Sequence, residues 1–375
     1  MVLGMSAPRW LIPTFALAAC AVEPAGTADD DAPTPDAVTL DTRSPQARAQ
    51  YDANARFAMT YAARCAPVGT RPRALVTGFG RFLDNATNAT GQTVSALVPA
   101  VEYPFTERPA AGAVDLPGPQ TRVAVGTVDV PGVGAVDVCA MILPVYWDLA
   151  AILVLKEVER FNPAVVVMNG IASPRQDLWV ELGGVNRAMV LADGSDVLVP
   201  QPPAGQRFAA LVPSAPASAL RRGALLSWDG VKAAATAVIT DRAAALDGET
   251  RLDARLTGVA FGGFPRDGNT YLCNNLSYVV GYAMDNPGRT LTLLQASVPL
   301  RGAVNRVPVR LTRDHRATPR VFLHWPSTLA GDHLGVGAEV LRAVIGAQLR
   351  ATRGGDPPTR GDNTRAELQP GGDTF

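Results

Sequence analysis

Apolar positions along the chain alternate between short dense runs and stretches with helical spacing. Ala74-Leu75-Val76-Thr77 has the density of a strand buried on both faces and leads into the turn-forming Gly78-Phe79-Gly80. Residues 138–145 make a second apolar run. From 147 to 161, apolar residues fall at 149, 152, 153, 155, 158 and 161, which predicts a helix, and Asn162-Pro163 stops it. Residues 164–168 then read as a strand. Further on, 274–284 reads as a helix, 290–298 as a strand, 321–323 as a short strand and 338–349 as an amphipathic closing helix. Strands separated by helices predict an α/β fold: a three-layer α/β/α sandwich around a twisted, largely parallel sheet, in a single domain with insertions.

The ends have a different character. Residues 1–20, MVLGMSAPRWLIPTFALAAC, carry Arg9 ahead of a short apolar run closed by Leu17-Ala18-Ala19-Cys20. A short apolar segment ending in small residues has the form of a secretory signal rather than a membrane span. The Leu-Ala-Ala-Cys closure resembles the lipobox of bacterial lipoproteins. It implies lipidation of Cys20 and an exported protein anchored to a membrane of the bacterial cell envelope; an ordinary signal peptide cut elsewhere is the alternative. Residues 21–50 are rich in Ala, Asp, Pro and Thr, and read as a disordered tether. Residues 351–375 read as a disordered tail, which leaves 51–350 as the folded domain.

Composition narrows the function. The 375 residues hold 34 Lys+Arg against 34 Asp+Glu, a balance that argues against a nucleic-acid partner. With 47% hydrophobic and 18% charged residues, the chain is too apolar to be disordered throughout. Its longest apolar candidate for a span, 10–22, is interrupted by Pro13.

Several familiar motifs fail. Position 83 is Leu, so the dinucleotide fingerprint after Gly78 is incomplete, and there is no Walker A loop or Gly-x-Ser-x-Gly elbow. None of the three histidines has zinc-type spacing, and Asp314-His315 and Asp332-His333 read as solvated pairs. What remains is Cys273, placed where a loop feeds a helix, so that the positive end of the helix dipole favours its thiolate. His324 follows an apolar strand, at the end of the sheet where α/β sites gather. Glu181 closes Leu178-Trp179-Val180, an odd place for an idle carboxylate. Together they offer a nucleophile, a base and a group to orient the base. Taken singly, they read equally well as a buried thiol, a satisfied core histidine and a surface charge.

The ordered set resembles the pyroglutamyl peptidase I family of cysteine peptidases, over roughly 73–349 with gaps. The matching blocks are residues 74–82 with Asn88-Ala89-Thr90; Leu143-Pro144-Val145 with the following helix and Asn162-Pro163-Ala164; 175–181 with Asn186; Thr270-Tyr271-Leu272-Cys273-Asn274; and His324 with Pro326. The resemblance implies that Cys273 attacks the amide carbonyl after an N-terminal pyroglutamyl residue, that His324 carries the proton, and that Glu181 orients the imidazole. It also implies a ring pocket walled by Phe79, Phe82, Tyr271 and Leu272, no metal or organic cofactor, and a peptide substrate with a blocked N-terminus. A same-fold amidohydrolase taking a different N-blocked substrate, or a non-catalytic binding lipoprotein, are the other readings.

The chain also departs from the family. Ile171 and Leu191 stand where it carries a Gln segment and an Arg, and Arg81 replaces a Pro. Weak pyroglutamyl activity is therefore expected, with Arg81, Arg175 or Arg187 as compensating cations. The intervals 101–128, 200–227 and 302–319 are longer than the family's compact chain has. With Cys20 and Cys273 assigned, Cys65 and Cys139 are expected to pair as a disulfide in an oxidising compartment, two separate buried thiols being the alternative.

Overall fold

The computed structural model describes residues 36–172 and 176–368. Its central sheet contains β1 (Arg73–Phe79), β2 (Arg122–Val130), β3 (Gly134–Leu143), β4 (Val165–Ala172), β5 (Asp177–Glu181), β6 (Gly258–Gly262) and β7 (Arg320–Pro326). The spatial order is β6-β5-β7-β4-β1-β3-β2. The middle strands β7, β4, β1 and β3 are mutually parallel. On one side, β2 returns antiparallel to β3; on the other, β5 runs antiparallel to β7 and carries β6 parallel to itself.

Successive residues of a strand face opposite sides of the sheet, and here both sides are covered. Leu75, Cys139, Met141, Val166, Met168 and Phe322 belong to one core, with α1 (Pro45–Thr60), α4 (Leu149–Phe161) and α6 (Leu272–Asp285). Ala74, Val76, Val138, Ala140, Val167 and Val321 belong to the other, with α2 (Ala89–Leu97), α5 (Trp228–Asp241) and α7 (His333–Arg353). The three-layer α/β/α architecture follows from that partition. Among the described residues no helix is long and apolar enough to cross a membrane.

Local signals set the element ends. Asn162 terminates α4 in the left-handed conformation that asparagine tolerates, ahead of Pro163. Asn88 Oδ1 accepts the Thr90 N–H at 3.1 Å and opens α2, while the Thr90 hydroxyl accepts the Phe79 N–H at 3.0 Å. Gly78 lies under this clasp; a Cβ there would sit 2.4 Å from the Thr90 carbonyl oxygen.

The folded domain is wider than residues 51–350 on both sides. Residues 36–50, read as tether, are part of the fold: Thr39–Leu40 pairs in parallel with Gln295–Ala296, and Ala37, Val38 and Leu40 are fully buried. Ser44 caps α1 by accepting the Ala47 N–H at 3.0 Å, with Pro45 in the first turn. The buried face of α1 is Ala47, Gln50, Tyr51, Asn54, Ala55 and Ala58, too small and polar to announce itself. At the other end, Thr359–Arg360 pairs with Leu225–Leu226, the Trp228 indole donates to the Thr359 carbonyl at 2.9 Å, and Leu368 bridges to Gly262. That part of the tail is laid against the domain by backbone pairing rather than by apolar bulk.

Two further elements differ from expectation. The run 290–298 breaks at Leu294, whose φ of 58° ends one strand, Thr290–Leu293, before Gln295–Ala296 starts another. Neither joins the central sheet; Thr290–Leu293 pairs with Val307–Arg310 instead. The long interval 101–128 contains α3 (Pro117–Gln120) and most of β2.

Candidate active site

Cys273, His324 and Glu181 come together where β5, β7 and the N-terminus of α6 meet. Glu181 is the last residue of β5, and His324 lies within β7 opposite Gly170 of β4 on one side and Trp179 of β5 on the other. His324 Nδ1 and Glu181 Oε1 are 2.6 Å apart, with the residues 6% and 1% exposed. The imidazole is flanked edge-on by Phe322, at 4.9 Å between ring centres, and by Trp179 at 6.2 Å. Burial in this apolar setting pushes the imidazolium down, but the Glu181 carboxylate and the Cys273 sulfur outweigh it, and His324 is raised to about 10.

Cys273 is a free, half-buried thiol in the first turn of α6, close enough to His324 for its charge to help raise the imidazole. The helix opens without a side-chain cap, and its first internal bond runs from the Asn275 N–H to the Tyr271 carbonyl. The N–H groups of residues 272–274 therefore precede the intrahelical ladder, at the positive end of the helix dipole. Gly170 makes room for the sulfur: a Cβ there would stand 2.7 Å from Cys273 Sγ and 2.8 Å from the Phe322 ring. Replacing Gly170 with alanine is expected to cut turnover at least tenfold by displacing the thiol, in a protein that still folds; steady-state kinetics with circular dichroism checks this.

Polar anchors that hold Cys273 were not legible in the sequence. Asn274 Oδ1 accepts the Val185 N–H at 2.8 Å, and its Nδ2 donates to the carbonyls of Val185 and Arg187. Asn275 Nδ2 donates to the buried Asp148 carboxylate at 2.9 Å, and the Asp148 N–H donates back at 3.1 Å. These two asparagines directly follow the nucleophile and fix α6 against two distant segments, at 185–187 and at Asp148.

The expected ring-pocket residues divide. Phe82 and Tyr271 pack edge to face at 6.1 Å, and Trp147 contacts Tyr271 from another side at 5.4 Å. Phe79 and Leu272 are buried in the core cluster that Phe82 and Tyr271 pack against. Leu191 is 45% exposed, yet its segment adjoins the site: the Trp147 indole donates to the Leu191 carbonyl, and the Tyr271 hydroxyl to the Ala192 carbonyl.

The compensating cations are held to different degrees. Arg81 is 2% exposed and ion-paired with the buried Asp115, while also donating to the Leu83 carbonyl. Arg187 faces Asp267 at 3.6 Å and covers the Phe208 ring. Arg175 and Cys20 lie outside the described residues. His315 and His333, read as solvated, are buried, and His333 Nε2 lies 2.9 Å from the Ala245 carbonyl oxygen. Cys65 and Cys139 are joined in a buried disulfide, with S–S 2.03 Å and Cα–Cα 5.7 Å. Among the described residues, the cluster with ligand-type atoms close enough for a metal is this cystine with Glu157, and its sulfurs are already bonded to each other.

Fold and site together define an α/β protein with a free thiol at a helix N-terminus beside a buried imidazole–carboxylate pair. No family model matches the chain, and no curated protein matches it in sequence. Among solved structures it is similar to pyroglutamyl peptidase I of Bacillus amyloliquefaciens, with 13% identity and a TM-score of 0.43 over 74% of this chain and 97% of that one. It is also similar to the pyrrolidone carboxyl peptidase of Thermococcus litoralis, with 15% identity and a TM-score of 0.44 over 76% and 96% of the two chains. For the enzyme of Pyrococcus furiosus the values are 14%, 0.43, 74% and 98%. At such identity the functional reading has to come from the site geometry.

Proposed function

We propose that the chain is a cysteine peptidase that hydrolyses the amide bond after an N-terminal pyroglutamyl residue. The observation that carries this is the buried Glu181–His324 pair with the free Cys273 thiol beside the imidazole. The Cys273 thiol passes its proton to His324 and its sulfur attacks the amide carbonyl, while the N–H groups opening α6 take up the developing oxyanion. His324 gives its proton to the leaving amine as the C–N bond breaks, which leaves a pyroglutamyl thioester. Water then attacks that thioester, His324 takes the water's proton, and the C–S bond breaks to release pyroglutamate and the thiol. Glu181 positions the imidazole and stabilises its charged form. The apolar ring wall of Phe82, Tyr271 and Trp147 suits a small, neutral lactam.

Leu191 and Ile171 favour a second reading, a same-fold cysteine amidohydrolase with another N-blocked substrate. With Arg81 held by the buried Asp115, the oxyanion relies on backbone donors, and loss of one oxyanion donor costs about 3 kcal/mol. Slow release of aminocoumarin from pyroglutamyl-aminocoumarin is the expected result, and Leu191→Arg is expected to raise kcat. No release from that substrate, with release from a different N-acyl aminocoumarin, selects the second reading.

The raised pKa of His324 has two consequences with defined sign. A histidine raised on folding contributes stability that is fully present below its unfolded value and is lost as pH rises through about 10. Activity that needs the imidazolium as acid should fall on the same alkaline limb. Glu181→Gln is expected to move this limb to lower pH, because it removes the carboxylate that favours the charged ring; a kcat/KM profile from pH 6 to 11 checks it. An export route with a lipid anchor at Cys20 is part of the proposal, and the Cys65–Cys139 disulfide supports it, since such bonds persist in oxidising compartments.

A further inference from the structure

Two cavities open beside the N-terminus of α6, of about 310 and 430 Å³, and both are lined by Arg187, Leu220 and Asp267. Arg221 and Arg266 line the first and Arg207 the second. The fold brings these arginines together from separate segments. Val185 pairs with Arg221 in a short antiparallel ladder, and Asn274, the residue after the nucleophile, holds the Arg187 carbonyl at 2.8 Å. The Met189 N–H donates to the Thr270 carbonyl, which draws the Arg187 segment along the loop leading into Cys273.

The guanidinium groups of Arg187, Arg207 and Arg221 share one carboxylate here, Asp267, in a chain whose overall charge is zero. Arg187 and Arg207 reach Asp267 only at 3.6 and 3.3 Å, and lie 5.6 and 5.2 Å from the centre of the Phe208 ring. Both are well exposed, at 45% and 78% of the side chain, so these ion pairs are weak and the guanidinium groups remain available. Planar guanidinium groups in excess over acids are recognition elements for carboxylates. The ring wall of Phe82, Tyr271 and Trp147 carries no such charge, so the two surfaces differ in the chemistry they recognise.

We infer that the arginine basin selects substrates by an acidic group on the leaving side, a carboxylate on the first or second residue after the blocked one. This rests on the peptidase reading above. The basin borders Asp267, in the loop leading into Cys273, and the Arg187 segment that Asn274 holds, so the residues just after the blocked one are the part of a substrate that meets it. The basin thus names a substrate class: short N-blocked acidic peptides.

The test compares kcat/KM for pyroglutamyl-Glu-Ala, pyroglutamyl-Ala-Ala and pyroglutamyl-Lys-Ala amides, in the wild-type protein and in the Arg187→Gln/Arg207→Gln variant. The expected wild-type ratio of Glu to Lys peptide is about tenfold or more, shrinking as salt shortens the screening length below about 8 Å. In the variant the ratio should fall towards one, with circular dichroism confirming the fold. Cleavage of all three peptides at equal rates by the wild type overturns the inference and leaves the peptidase reading standing. A ratio that survives both substitutions overturns the role of these arginines. Cleavage of none of the peptides removes the peptidase reading and this inference with it.

Discussion

Replacing Cys273 with alanine is expected to lower kcat on a pyroglutamyl substrate by about 10⁴-fold or more, with the fold unchanged. The sulfur is the attacking atom in the proposed mechanism, and alanine leaves no nucleophilic atom at that position. The thiol is half-buried and sits at the start of a helix that Asn274 and Asn275 hold independently, so truncation removes little packing. Glu181→Gln is expected to cost about 10³–10⁴ in kcat, because the imidazole loses the partner that fixes its orientation and charge. Steady-state kinetics with near-ultraviolet circular dichroism checks both. Retention of more than a tenth of the activity by the alanine variant would sink the assignment of Cys273.

Removing the disulfide, as Cys65→Ala/Cys139→Ala or by reduction of the denatured protein before refolding, is expected to destabilise the domain by about 4 kcal/mol. The bond closes a loop with a sequence separation of 74, and chain entropy sets that magnitude. It ties the segment after α1 to β3, within the core. Glu157 reinforces the same junction by accepting the Arg64 and Cys65 N–H groups at 2.7 and 2.8 Å. The urea midpoint should drop while kcat, measured well below it, stays within about twofold, since the active site lies on other strands. An unchanged midpoint would mean that the junction is held without the bond.

Legibility in the sequence followed apolar density. The runs at 74–77, 138–145, 164–168 and 321–323 each mark a strand, though β3 ends at Leu143 and β4 starts at Val165, and the helical spacing across 147–161 gave α4 from Leu149. Where burial is achieved with small or polar residues, the pattern is silent. Gln50 and Asn54 are buried in α1 because they bond to each other and Gln50 to the Asp115 carbonyl, a partner 65 residues away. The catalytic candidates stood out as residue types out of place: a carboxylate closing an apolar strand, a histidine inside another. Their supports did not. Asp148 and Asn275 are 127 residues apart, and nothing local marks either as half of a pair. Arg81 shows the converse, a cation read as a site residue that the buried Asp115 claims for structure.

In the proposed mechanism Cys273 carries the pyroglutamyl group as a thioester during turnover. Acid quenching of the purified protein during hydrolysis of a pyroglutamyl amide, followed by peptide mapping by mass spectrometry, tests this directly. The expected result is a mass increase of one pyroglutamyl group on the peptide containing Cys273, absent from the Cys273→Ala variant. Product release with Cys273 unmodified, or with the adduct on another residue, would contradict it.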